Sequence, residues 1–148
     1  MMGGRCTLSS ISAIAPLLRQ DDPENPWDGV ILRYVVAATR DGSLADPALI
    51  DSRMRSAGEY SKPGQHALAY RLTSAAAPRV NHDRVGPLAV ALVEQSLRRR
   101  IAQFGSAITE AADTMSDHDL RHLIERERAE VTAHYTRLDD LRKAAKTA

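Results

Sequence analysis

Two apolar stripes in the second half of the chain limit its fold more than any other feature. Between Val85 and Leu141, apolar residues fall at Val90, Val93, Leu97, Ile101, Phe104, Ile108 and Met115. Their spacing of three or four residues, with one step of seven, makes one stripe along a helix, close to a coiled-coil seam. The pattern breaks at Thr114-Met115-Ser116-Asp117, where Ser116 and Asp119 resemble a capping box with Asp in place of the usual Glu or Gln. A second stripe follows at Leu120, Ile124, Val131, Tyr135, Leu138 and Leu141. A short break between two striped helices predicts a long antiparallel helical hairpin. Such a hairpin offers a long surface and no pocket, which suits assembly better than chemistry on a small molecule.

The residues ahead of the hairpin carry helix punctuation at short intervals. Ile11 to Arg19 fits a short helix, and Gln20 to Pro26 a polar turn. The next helix runs from about Trp27 to Arg40, with Val30, Ile31, Tyr34, Val35 and Ala38 inward and Asp41-Gly42 as its stop. Asp46-Pro47 supplies a cap and a first residue for another, which should bury Leu49, Ile50, Met54 and Ala57 before Gly58 ends it. Lys62-Pro63-Gly64 begins a further helix that offers Leu68, Tyr70 and Leu72 and ends near Ala77-Pro78. Asn81, His82 and Asp83 are capping candidates for the long helix, and Pro87 falls in its first turn, where a missing N–H does little harm. No strand-like alternation is long enough to compete. The expected architecture is therefore all-α: a disordered N-terminus over 1–10, a small helical bundle over 11–80, and the hairpin over 81–148.

Composition agrees and narrows the function. Hydrophobic residues are 43% of the chain but aromatics only 4%, so aliphatic residues and alanines must fill the core. With 20 basic and 19 acidic residues the net charge is +1, which gives no electrostatic case for strong nucleic-acid binding. The lone Cys6 excludes an intrachain disulfide. No apolar run reaches the roughly 20 residues of a membrane span, and Cys6 to Leu18 lacks the basic start and cleavage site of a signal peptide. A cytoplasmic location is expected.

The order of these segments resembles the N-terminal domain of DnaB-type replicative helicases. Leu17-Leu18-Arg19-Gln20-Asp21-Asp22, then Asn25-Pro26 and the helix to Arg40, looks like the family's acidic turn and proline before a helix. Arg40-Asp41-Gly42-Ser43-Leu44-Ala45-Asp46 resembles its R-G-x-P-V-D turn, with Ser43 for the proline, and Arg55-Ser56-Ala57-Gly58 its glycine stop. Leu72 to Val85 looks like the family's link into the hairpin. Ala91-Leu92-Val93-Glu94-Gln95-Ser96-Leu97-Arg98-Arg99-Arg100-Ile101 is similar to its A-x-I-V-R-E-K-A-x-x-R-x-x-I helix. The likeness covers about Ile11 to Ile108. It implies a non-catalytic collar that pairs through its hairpin and docks helicase or primase. No G-x-x-x-x-G-K-[ST] occurs in the chain, so the resemblance implies neither ATP hydrolysis nor helicase activity.

The remaining polar patterns carry little chemistry. His118 and His122 are four apart on a helix, but no glutamate follows the first and no third ligand can be named, so no metal or cofactor is expected. Arg98-Arg99-Arg100 fans over about 200° of helix, and its arginines read as solvated or salt-bridged within the chain. Glu125, Glu127 and Glu130 alternate with Arg121, Arg126 and Arg128, as on an exposed arm stabilised by pairs three apart. Ser9, Ser10, Ser12 and Cys6 have no base placed by sequence, and Asp21-Asp22 reads as a turn. Tyr60 reads as a core-edge residue.

These readings point to an interaction domain, with a small regulatory or nucleic-acid-binding helical protein as the alternative. The candidate partner-binding residues are Leu92, Val93, Leu97, Ile101, Phe104 and Ile108, with Leu97, Ile101, Phe104 and Ile108 holding the arms together. The first arm carries more apolar positions than one neighbour should cover, so Leu92 and its neighbours are expected to serve a homodimer, a helicase or a primase.

Overall fold

The computed structural model of the chain describes residues 11–43, 46–76 and 85–147. The expected N-terminal disorder, Cys6, the capping candidates Asn81, His82 and Asp83, and the boundary near residue 80 lie outside the described residues. Those residues form an all-α fold. Helices α1 (Pro26–Arg40), α2 (Pro47–Ser56) and α3 (Gln65–Ala76) precede the hairpin of α4 (Val85–Thr114) and α5 (Asp117–Lys146).

Local chemistry explains the helix boundaries. The Asn25 side chain accepts from the Trp27 amide at 2.9 Å and Pro26 occupies the first turn of α1. Asp46 accepts from the Ala48 amide at 2.8 Å and Pro47 opens α2. Between the long helices, Ser116 caps α5 by accepting from the Asp119 amide at 3.2 Å. The Asp119 carboxylate accepts from the Ser116 hydroxyl at 2.8 Å, where a capping box has the longer Glu or Gln reach back to a backbone N–H.

Two cores result. Ile31, Ala38, Ile50, Met54, Leu68 and Leu72 close the small bundle, with Trp27, Tyr34 and Tyr60 at its edge. Gly64 has φ +89°, and a Cβ there would fall 2.2 Å from the Trp27 ring, so only glycine lets that ring close over the start of α3. Buried Glu59 ties the bundle shut, accepting from Arg33, from the Tyr34 hydroxyl at 3.1 Å and from Lys62 at 2.7 Å. Ala89, Val93, Leu97, Leu138 and Leu141 form the second core between α4 and α5, and Ile14 completes it.

Three expectations need correction. Tyr70 does not pack; it is 72% exposed, because Leu68 and Leu72 face the bundle and the residue between them points about 200° away. Ala57 is exposed at the end of α2. The helix expected over Ile11 to Arg19 is shorter. Residues 11–14 are helical, Ala15–Leu17 is a 3-10 turn containing Pro16, and Leu18 is extended. Proline in a continuing helix would collide with the preceding turn, which ends the helix here.

Candidate functional site

The hairpin changes character along its length. At the proximal end, near the chain's base, residues 11–22 lie against it as a strap. Ile14 enters the hairpin core, and Leu17 and Leu18 pack beside it. Val93 is fully buried and Leu97 is 4% exposed, so these two candidates are enclosed within the chain. Leu92 is half-buried and lines a cleft with Pro23, Asn25, Pro26 and Arg71, at the seam with the small bundle.

The strap is pinned by charge. Asp22 is fully buried, and its carboxylate accepts two bonds from the Arg137 guanidinium, at 2.6 and 2.7 Å. The Arg19 amide donates to the same carboxylate at 2.8 Å, while Arg99 of α4 donates to the Asp22 carbonyl. Arg137 also donates to the Leu17 carbonyl at 3.0 Å. Burial pushes the Asp22 carboxyl up, but the Arg137 and Arg19 bonds outweigh it and hold the group below its ordinary 3.8. A second glycine makes this approach feasible: a Cβ on Gly29 of α1 would fall 2.0 Å from the Gln20 carbonyl oxygen. The turn over Asp21-Asp22 is present, but the expected reading missed that one of its carboxylates is an interior ion pair.

His134 belongs to the same cluster. It is 9% exposed, and its Nε2 lies 2.8 Å from Arg137 Nη2. Arginine can only donate, so Nε2 accepts and the imidazole is neutral. Burial first and the Arg137 charge second push its pKa below 6.5. Ser96, His134 and Asp22 are close together, yet they are not arranged as a nucleophilic relay. Arg137 stands between the carboxylate and the imidazole, occupying the nitrogen a relay would use. Beside them, Arg19, Asp21, Arg99 and Gln103 help to line a polar cleft of about 210 Å³.

The arginine run divides as its fan predicts. Arg98 is exposed, Arg99 reaches the strap, and Arg100 of α4 pairs with Glu127 of α5 at 2.6 Å. Glu127 is 8% exposed, which corrects its reading as part of a solvated arm: it reaches across the hairpin to Arg100, with Arg126 of its own helix 3.5 Å from its other oxygen. His118 and His122 sit near the hairpin turn with ring centroids 4.5 Å apart, both exposed. Among the described residues, no group of three or more His, Cys, Asp or Glu side chains converges on a metal position.

Beyond Arg100 the hairpin is less enclosed, although Gln103 still lines the polar cleft with Arg19 and Asp21. Ala111 and Leu123 are buried there, while Phe104, Ile108 and Leu120 are half-buried; Val131 is half-buried too but packs against the proximal core. Ile101 and Ile124 are each 39% exposed and Met115 47%. Ile101 is therefore not enclosed in the stripe expected to hold the arms together. Tyr135, in the second stripe, is likewise 47% exposed. No described helix is long and apolar enough to cross a membrane. Comparison with protein-family models, curated proteins and solved structures gave no match.

Proposed function

We propose that this chain is a non-catalytic helical interaction domain that pairs with a second copy through the distal half of its hairpin. The observation that carries this reading is the apolar surface left on that half: Ile101, Met115 and Ile124 exposed beside half-buried Phe104 and Ile108. Ile101, Phe104 and Ile108 follow one stripe of α4, and an apolar stripe left partly uncovered is the kind of surface at which association occurs. Docking of a replicative helicase or primase is the heterologous part of the same proposal, and it rests on the helicase-collar resemblance of the segment order. Nucleic-acid binding is the weaker alternative. The net charge is only +1, and two arginines of the basic run are engaged within the chain.

Sedimentation analysis from about 1 to 200 µM tests self-association, since mass action must shift a real dimer across such a range. The unmodified chain should dimerise, and Ile101→Glu with Ile124→Glu should return it to monomer without loss of helicity. A monomer at every concentration sinks self-association. Co-sedimentation with a DnaB-type helicase and with primase then tests the heterologous part. Leu92→Glu is not a clean surface probe, because Leu92 sits at the seam between hairpin and bundle.

A further inference from the structure

We propose that residues 11–22 are an acid-released strap, held on the hairpin at neutral pH by the Asp22–Arg137–His134 cluster and freed when His134 takes a proton. This inference does not depend on self-association, because every step lies within one chain.

The bond pattern sets the switch. Arg137 gives Nη1 to Asp22 and to the Leu17 carbonyl, and Nη2 to Asp22 and to His134. All of these acceptors except His134 belong to the strap. His134 is the one acceptor in the set whose ordinary pKa lies near neutrality. A proton on Nε2 turns it into a donor facing a donor, with two cations 2.8 Å apart at the floor of the polar cleft.

The neighbouring charges decide whether the new cation is tolerated. From the strap, Arg19, Asp21 and Asp22 face the imidazole; from α4, Arg99 and Arg100 do; from its own helix, Arg137 and Glu130 do. Asp22 is the fully buried carboxylate among them, and both of its oxygens are already bound to Arg137. Asp21 and Glu130 are exposed, so water weakens their support. Arg100 is matched by Glu127, while Arg19 and Arg99 form no ion pair among the described residues. The direction of the His134 shift, downward from 6.5 through burial and then through Arg137, agrees with this balance.

Opening the strap relieves the conflict, because Arg19 and Asp21 form part of the wall over His134. Once the strap leaves, water also reaches the Arg137 guanidinium that Asp22 and the Leu17 carbonyl now cover. The same movement uncovers Val93, Leu97, Leu138 and Leu141, which Ile14, Leu17 and Leu18 now cover. The strap is thus a cover whose removal turns a closed core into an apolar groove.

Amide hydrogen exchange on the full chain tests this at Leu18, Arg19 and Asp22, whose N–H groups are bonded within the strap. Protection factors there should fall by about tenfold for each pH unit between His134's unfolded and folded pKa values, since each unit of linked titration is a tenfold change. Amides of the distal hairpin should not change. The fall should level off at the pH where the His134 imidazole of the closed chain titrates by NMR. His134→Gln, whose amide oxygen can still accept from Arg137, should keep the strap protected at about pH 5.5. Equal protection at neutral and mildly acidic pH overturns the proposal. So does release that tracks a carboxylate rather than His134, and so does a glutamine variant that opens in parallel with the parent chain.

Discussion

The proximal and distal halves of the hairpin share one sequence pattern and have different fates. In the proximal half, Val93 and Leu97 of α4 are buried with Leu138 and Leu141 of α5 beneath Ile14. In the distal half, Ile101 continues the stripe and is 39% exposed, and Phe104 and Ile108 are only half-covered. The difference is a third element. Two helices can enclose a single seam, but a wider apolar stripe needs another surface laid across it. The strap supplies that surface to the proximal stripe only, and Leu88 and Tyr135 of the same half stay 50% and 47% exposed. Apolar spacing therefore reports which side of a helix needs cover, and not whether the chain provides it.

The largest effect expected from breaking this contrast is at the pin. Arg137→Ala leaves Asp22 buried without its partner, and removal of one member of a buried pair costs about 3–5 kcal/mol. Urea denaturation should show the loss, and the strap should become the first segment cut by protease. Replacing both partners by apolar residues should restore much of the stability, because the pair's desolvation cost then disappears as well.

Leu97→Ala should come next, at about 2–5 kcal/mol for a buried leucine whose cavity cannot fully collapse. Phe104→Ala, on the same stripe but half-covered, should cost about 1–2 kcal/mol, in proportion to the apolar area it removes from contact. Equal losses at the two positions would mean that the distal half is covered in solution, by a second copy or another partner. Measuring Phe104→Ala at low and high protein concentration separates those two covers.

The pH dependence should be a smaller effect at neutrality and should grow on acidification. His134 has a lower pKa folded than unfolded, so the unfolded chain binds more protons at pH values from 6.5 down to the folded value. Stability contributed by the neutral imidazole is complete above that window, falls as pH drops through it, and levels off below. Asp22 adds a second loss only below its ordinary 3.8, because its folded pKa is also lowered. Thermal melts across this range should show the first step flattened in His134→Gln.

The smallest effect should come from Ile101→Ala, within about 0.5 kcal/mol on the stability of the monomer, as for most surface substitutions. A loss comparable to that of Leu97→Ala at low concentration would erase the proximal–distal contrast.

The helices and their punctuation could be read from the sequence because they depend on neighbours a few residues away. Asn25-Pro26, Asp46-Pro47 and Ser116 act through amides two or three residues on, so their signals are local. The helical hairpin follows from stripe spacing for the same reason. The junction could not be read this way. Asp22 and Arg137 are 115 residues apart, and nothing in either neighbourhood marks one as the other's partner. Gly29 was the available signal: a glycine inside an amphipathic helix implies a close approach, here the Gln20 carbonyl. Glu127 carries the same lesson, since only the register of α5 on α4 decides that it meets Arg100 rather than water. The sequence by itself determined an all-α chain ending in two long striped helices. The tertiary structure alone decided which length of stripe is covered and which charges lie inside, because burial and ion pairing depend on distances in space that local spacing does not encode.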